Sequence, residues 1–478
     1  MSFLRKAAKH PNMFFKNLSS QSLKDGVVIL ILLLVWAFGV LTDGNAINNG
    51  DWLRSTITAG FVPPSWQELA PVYPFTEQKR IDHPSSMAAV IWTLGLIAQV
   101  FGAKQFSADL LSGFLGLTFF SGLFFIWKRH VMPGRNILLA SLICLYLLFR
   151  FYFKSFYEEA IVLAVLPWLC FGYYEMLAGR SCRIFVIISV IILFSKIQMI
   201  WLAPAFFVLY LCATQVKFWS AKSLIFMITS ISVVVVMLFG VGRGSGVEFP
   251  NKYNRYYNGL GWTILQSSNW PGSEFNARAY YFNQNKDDLQ QQVKHMTAAS
   301  LLGTSYWPTG SELRMSADNA TGFTKDKQLG DFDEMISRGS FESYLRYFYD
   351  NPAFILLFLK NIYITTLQSD YSLDYLRASL QRKSNFSNRV SKARDTVLSN
   401  FGLITLIFLL VFLIAKPRSC MTLLIAWLFL SPLVVVIGDG YYEYEKHLIP
   451  FMFLLPLVVA SYANKRLCVH TSAEPFEG

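Results

Sequence analysis

The chain alternates long apolar runs with short polar breaks, and the length of those runs is what they first establish. Apolar runs of about 15 to 20 residues cover 27–41, 86–103, 109–127, 136–152, 160–178, 223–240, 401–415, 421–438 and 448–463, the length a helix needs to cross a hydrocarbon core. A longer run, 184–213, is interrupted by Ser195-Lys196-Ile197-Gln198. It reads as two shortened helices that meet at one surface. No β-barrel alternation is visible. The pattern predicts an all-α polytopic membrane protein.

Composition agrees, with 54% hydrophobic and 15% charged residues against roughly 25% charged in soluble domains. The position of the charges then sets topology. Arg5, Lys6, Lys9, Lys16 and Lys24 precede the first run and hold the N-terminus in the cytoplasm. No small-residue cleavage site follows that run, so 27–41 is expected to be an uncleaved signal-anchor. The loop 42–85 then faces the exterior.

Segment 86–103 is the pivot of the topology. If it crossed, Lys128-Arg129, Arg135, Arg180, Arg183, Lys217 and Lys222 would all lie outside. If it rests at the interface, all of them are cytoplasmic. The positive-inside rule therefore predicts a juxtamembrane or re-entrant element at 86–103. On this register the seventh crossing, 223–240, delivers a polar region of about 110 residues to the exterior. The stretch 353–368 is apolar enough to cross but is kept interfacial, so that Lys416, Arg418, Lys465 and Arg466 stay cytoplasmic. Ten crossings are expected, or eleven if 353–368 also spans. The layout is a seven-helix module over 1–240, with an exterior platform at 42–108. A large exterior region covers 241–400, and C-terminal helices with a short cytoplasmic tail cover 401–478.

The net charge of +12 reads as topology signals and lipid headgroup contacts rather than as nucleic-acid binding. The six cysteines lie in or beside apolar segments, with none in 242–400. No disulfide framework or metal-ligand spacing follows from them, and no cofactor is expected.

The exterior turns carry the candidate chemistry. The first loop holds Asp43, Asp51, Arg54, Lys79, Arg80, Asp82 and His83. The next turn is Lys154-Ser155-Phe156-Tyr157-Glu158-Glu159, followed by the break at Lys196. The last carries Tyr444, Glu445, Lys446 and His447. Ionisable residues at membrane depth are costly and mark function. A carboxylate such as Asp51 can take the proton of an attacking hydroxyl, while cations stabilise a departing lipid phosphate. Asp51 also fits an N-cap for a helix starting at Trp52, and Asp43 is its rival as base. Lys196 could instead snorkel to the surface, His83-Pro84 could merely open the 86–103 helix, and Glu158 and Glu159 could be ordinary interfacial charges. Gly242-Arg243-Gly244-Ser245-Gly246 follows a span rather than a strand, so it reads as a flexible exit and not a phosphate loop. The aromatics of 242–400, Tyr253, Trp262 and Trp270 among them, suit a small core or an interfacial belt, with some available to stack on sugars.

Together these motifs resemble the GT-C superfamily of integral-membrane glycosyltransferases. Asn49-Gly50-Asp51-Trp52-Leu53-Arg54 looks like its acidic motif in the first exterior loop. Asp82-His83-Pro84 looks like its His-Pro element, although Ser85 stands where a second Pro is common. Phe194-Ser195-Lys196 with Pro204 is similar to the Thr-Lys break of the aminoarabinose and mannosyl transferases. His447-Leu448-Ile449-Pro450 resembles the basic entry to a late span. Lys154 to Ala160 and Asn251-Lys252-Tyr253-Asn254 look like bacterial cell-surface hexosyltransferases, including serotype-converting O-antigen glucosyltransferases.

The resemblance implies an inverting transfer of a hexose, expected to be glucose, from a polyprenyl-phosphate carrier. The acceptor would be a lipid-linked or lipopolysaccharide glycan at the periplasmic face of a bacterial inner membrane. Asp51 would be the base. Arg54, Lys79, Arg80, His83, Lys196, Lys446 and His447 would hold the donor phosphate, with Asp82, Glu158, Glu159 and Tyr444 against the substrates. Two other classes compete. A flippase or transporter of lipid-linked glycans calls for an internal repeat and mid-membrane charges, and neither is seen. An O-antigen polymerase calls for arginine-rich exterior loops, which the cluster 377–394 supplies.

Overall fold

The computed structural model describes residues 25–37, 85–129, 134–214, 401–414, 420–439 and 444–458, with scattered positions at 55–56, 60, 72–75, 349–363 and 392–400. The expected span 223–240, the Gly242–Gly246 run and nearly all of 241–400 lie outside the described residues. Helix dominates what is described. In chain order the elements are α1 (Asp25–Ala37), β1 (Val72–Pro74), α2 (Ser86–Val100), β2 (Gln105–Ser107), α3 (Ala108–Lys128) and α4 (Arg135–Phe149). A 3₁₀ turn (Arg150–Lys154) then leads to α5 (Glu159–Leu177) and α6 (Arg183–Leu193). After a second 3₁₀ turn (Ile197–Leu202) come α7 (Ala203–Thr214), α8 (Phe401–Ile414), α9 (Cys420–Asp439) and α10 (Tyr444–Met452). Three helical stretches, α3, α4 with its 3₁₀ extension, and α5, are long and apolar enough to cross a membrane.

Helix α5 is the axis. It is apolar all round and buried along almost its whole length, as a helix without a polar face must be. It packs most extensively on α3 and α6, and also meets α7 and α10. Glycines set these close approaches. A Cβ at Gly122 of α3 would meet Pro167 Cβ at 2.7 Å, and one at Gly172 of α5 would meet the Phe185 backbone of α6 at 2.5 Å. The indole N–H of Trp168 donates to the Thr118 carbonyl at 2.9 Å and fixes the depth of α5 against α3.

Ion pairs at the two ends of α5 give the bundle its polarity. At one end, Arg129 and Arg180 close on Glu175 at 3.0 and 3.1 Å, and Lys128 reaches Asp25 at 3.9 Å. At the other end, Lys154 meets Asp109 at 3.4 Å and Lys196 meets Glu159 at 3.1 Å. Glu159 and Glu175 are sixteen residues apart on one helix, so about 24 Å separates these ends, comparable with the hydrocarbon thickness of about 30 Å. Helix α1 starts at the Glu175 end with Asp25 and climbs far enough for Trp36 to lie over Gly113 and Gly116 of α3.

The path of α2 is different. Its first residue, Ser86, bonds the Phe194 carbonyl through its N–H and the Ile191 carbonyl through its hydroxyl, both at 2.9 Å. By Gly95 the helix lies against the ring of Phe75, just past β1, and the ring of Phe106 within β2 of the antiparallel ribbon. Strand β2 leads straight into α3, whose Asp109 pairs with Lys154. Both ends of α2 therefore sit at the Glu159 end of the bundle. Ser85 is the N-cap of α2 and accepts from Ala88 N at 3.1 Å, which proline could not do. That gives a local reason for serine where a second proline is common in the family resembled.

The described helical residues between 349 and 363 bear on the stretch 353–368. Tyr363 stacks on Phe429 at 4.7 Å and its hydroxyl donates to the Phe429 carbonyl at 2.9 Å. Phe429 is midway along α9, so Tyr363 lies beside the middle of that helix rather than past its end.

Single cysteines placed at Lys104 and Lys128, in a cysteine-free background, should be labelled by an impermeant maleimide from opposite sides of the membrane. Labelling of both from one side would overturn the two-ended arrangement.

Candidate functional site

The break between α6 and α7 builds the site. Pro204 has no N–H and its ring clashes with the carbonyl four residues back, so one regular helix cannot run through Ile200. The chain relaxes into the 3₁₀ turn Ile197–Leu202, and α7 starts at Ala203 with Pro204 in its first turn, where proline is well tolerated. Lys196, at φ −154°, is left extended between the two helices. Its side chain turns inward to Glu159 in the first turn of α5. That helix N-terminus also favours a carboxylate.

Lys196 and Glu159 keep 4% and 1% of their side-chain surface exposed. Neither residue behaves as the alternatives raised from sequence required. Lys196 does not snorkel, because the carboxylate it needs is inside. Glu158 and Glu159 are both buried and are not surface charges. The second oxygen of Glu159, Oε2, is buried with no hydrogen-bond partner among the described residues, so this carboxylate retains acceptor capacity.

The turn before α5 gathers more charge. Arg150 and Lys154 of the first 3₁₀ turn are buried, and Ser155 caps that turn by donating to the Tyr152 carbonyl at 2.6 Å. Arg394 arrives from the segment ahead of α8 and lies over the Phe151 ring at 5.1 Å, itself fully buried. Phe156 packs edge-on against Tyr73 of β1 at 5.0 Å, so the ribbon is fastened to the same turn. Burial pushes the Tyr73 phenol well above its ordinary value and keeps it neutral. Among the described residues at this end, four buried cations (Arg150, Lys154, Lys196 and Arg394) accompany two buried carboxylates (Glu158 and Glu159). Such a set favours an added anion.

Of the residues predicted from sequence, the structure joins Lys196 to Glu159 and sets Glu158 beside them. Tyr444, Lys446 and His447 fall in the first turn of α10, which packs on α5 and on the Ile197–Leu202 turn. Asp43, Asp51, Arg54, Lys79, Arg80, Asp82 and His83 lie outside the described residues. Sequence reasoning missed Arg150 and Asp109, and it raised Arg394 only as part of the arginine-rich cluster 377–394 without placing it at this site. Arg150 had a signal, since an arginine at the end of an apolar run is unusual at membrane depth. The contact of Arg394 with Phe151 had no signal, because it spans more than two hundred residues of chain. Searches for similar proteins returned no matching family model, curated protein or solved structure.

Breaking a buried ion pair from one side costs about 3 to 5 kcal/mol, whereas replacing both partners costs much less. Glu159→Gln and Lys196→Met should each lower the thermal midpoint of the detergent-solubilised protein sharply, and the double variant should recover most of the loss. Additive losses in the double variant would mean that the two side chains are not energetically coupled.

Proposed function

We propose that the chain is an inverting glycosyltransferase of the GT-C kind, which moves a hexose from a polyprenyl-phosphate carrier to a cell-surface glycan at the outer face of a bacterial inner membrane. The observation that carries this reading is the buried Lys196–Glu159 pair, in a cation-rich cluster of turns at one end of the bundle. The basic residues Lys128, Arg129, Arg135, Arg180 and Arg183 gather at the opposite end. By the positive-inside rule that end is cytoplasmic, so the Glu159 end faces outward. Helix α2, which begins and returns at that end, takes the part of the juxtamembrane helix.

In the proposed reaction the acceptor hydroxyl attacks the anomeric carbon. The bond from that carbon to the phosphate oxygen breaks, and polyprenyl phosphate leaves with its electron pair. Asp51 accepts the hydroxyl proton, with Asp43 as the alternative base. The leaving phosphate gains negative charge as the bond breaks, so cations held nearby act most strongly in the transition state. Lys196 with Lys446 and His447 on α10, and Arg54, Lys79, Arg80 and His83 on the first loop, are the proposed phosphate-holding set. Glu158, Glu159, Asp82 and Tyr444 orient the substrates.

A second reading, an O-antigen polymerase, is favoured by one observation. Arg394, from the arginine-rich stretch 377–394, is buried against Phe151 in the same turn. The donor separates the two readings, since a polymerase consumes a glycan on a polyprenyl diphosphate.

Full-length protein in lipid nanodiscs, given a polyprenyl-phosphate hexose and lipopolysaccharide, should transfer the sugar, and Asp51→Asn should slow transfer by about 10²- to 10⁴-fold. Undiminished transfer by a folded Asp51→Asn would remove Asp51 as the base, and Asp43→Asn would then be the slow variant. Turnover of the polyprenyl diphosphate glycan alone would favour the polymerase.

A further inference from the structure

The Glu175 end carries a built surface that the proposed reaction does not use. Helix α5 ends in a Schellman motif: Gly179 takes a left-handed conformation (φ +68°), its N–H bonds the Met176 carbonyl at 2.9 Å, and the Arg180 N–H bonds the Glu175 carbonyl at 3.0 Å. This folds Arg180 back so that its guanidinium also reaches the Glu175 carboxylate at 3.1 Å. Just past α3, Arg129 grips the same carboxylate with two nitrogens, Nε at 3.0 Å and Nη2 at 3.2 Å. One largely buried carboxylate thus orients two arginines, which remain 43% and 52% exposed.

Aromatic rings hold the neighbouring cations and continue the face toward the middle of the bundle. Arg129 lies over Phe171 at 5.7 Å and Lys128 over Phe124 at 5.1 Å. One turn before Arg129, the exposed Phe125 packs on Phe171 and Trp168 at 5.8 and 4.9 Å. The face therefore runs from oriented cations at the tip to the exposed Phe125 and the half-buried Trp168 nearer the middle of the bundle. Among the described residues at this end, cations outnumber carboxylates five to two.

We infer that Arg129 and Arg180, with Phe125 and Trp168 beneath them, bind an anionic phospholipid. The headgroup phosphate sits on the two guanidiniums and an acyl chain lies along those two rings. The match is one of charge and shape: planar donors suit phosphate oxygens, and rings at the border of a bilayer suit a lipid chain. Because Glu175 and the rings fix the donors beforehand, little side-chain entropy is lost on binding. This inference stands apart from the glycosyltransferase reading and needs only that the bundle sits in a membrane.

Native mass spectrometry of the full chain in detergent, titrated with phosphatidylglycerol or with phosphatidylcholine of the same acyl chains, tests it. The wild-type protein should bind phosphatidylglycerol about tenfold more tightly. Arg180→Gln should lower that affinity about fivefold, the equivalent of about 1 kcal/mol per basic residue at a membrane surface. Arg183→Gln, which removes an exposed cation of the same end from outside the Glu175 triad, should leave the affinity nearly unchanged. The triple variant Arg129→Gln/Glu175→Gln/Arg180→Gln strands no carboxylate and should abolish the preference between the two lipids. Equal binding of both lipids by the wild type overturns the inference. So does an equal effect of Arg183→Gln and Arg180→Gln, which would show general charge attraction without a site.

Discussion

The structure turns on one charge pair that has almost no water. Lys196 and Glu159 meet at 3.1 Å with their side chains nearly fully buried, and removing either partner would leave the other charge to bear its own desolvation. The neighbouring geometry follows from that requirement. Helix α6 must stop at Leu193 so that Lys196 can extend, α5 must begin at Glu159, and Ser86 can then bond the carbonyls freed where α6 ends. A buried ion pair is poor evidence of stability for its own sake. This pair stands beside the buried Arg150, Lys154 and Arg394, and the proposed binding of a phosphate rests on that set.

Helix α5 joins this end to the other. It carries Glu159 at its first residue and Glu175 near its last, so its length holds two carboxylates close to the two borders of an apolar slab. The treatment of charge differs between them. At the Glu159 end the cations are withdrawn from water. At the Glu175 end they are only half covered, and they are aimed by a shared carboxylate and by ring faces. The first arrangement places charges where electrostatic interactions are stronger, and the second leaves them accessible to charged groups at the surface.

Much of this is legible from sequence, for identifiable reasons. Run length and apolarity outlined α3, α4 and α5 to within a few residues, because a helix at membrane depth must satisfy its backbone internally. The break at Ser195-Lys196 was visible because a charged residue interrupts an apolar run shortly before a proline. The candidate site was legible only in pieces. Glu158, Glu159 and Lys196 stood out as ionisable residues beside apolar runs, but their mutual distance depends on the relative depth of α5 and α6. That depth is set by Gly172 against Phe185, a contact with no local signature.

The sequence by itself determined the helical class, the places where helices must end, and the segregation of exposed basic residues from the Lys196 break. These follow from local physics: apolar length, the missing N–H of proline, and the cost of charge in hydrocarbon. Tertiary structure alone decided that Lys196 pairs with Glu159 and does not snorkel. It also decided that Ser86 starts its helix against the end of α6, and that Arg394 is buried on Phe151. Each of these outcomes depends on which non-adjacent helices lie side by side and at what height. Close packing at glycine contacts fixes that, and residue spacing along the chain does not encode it.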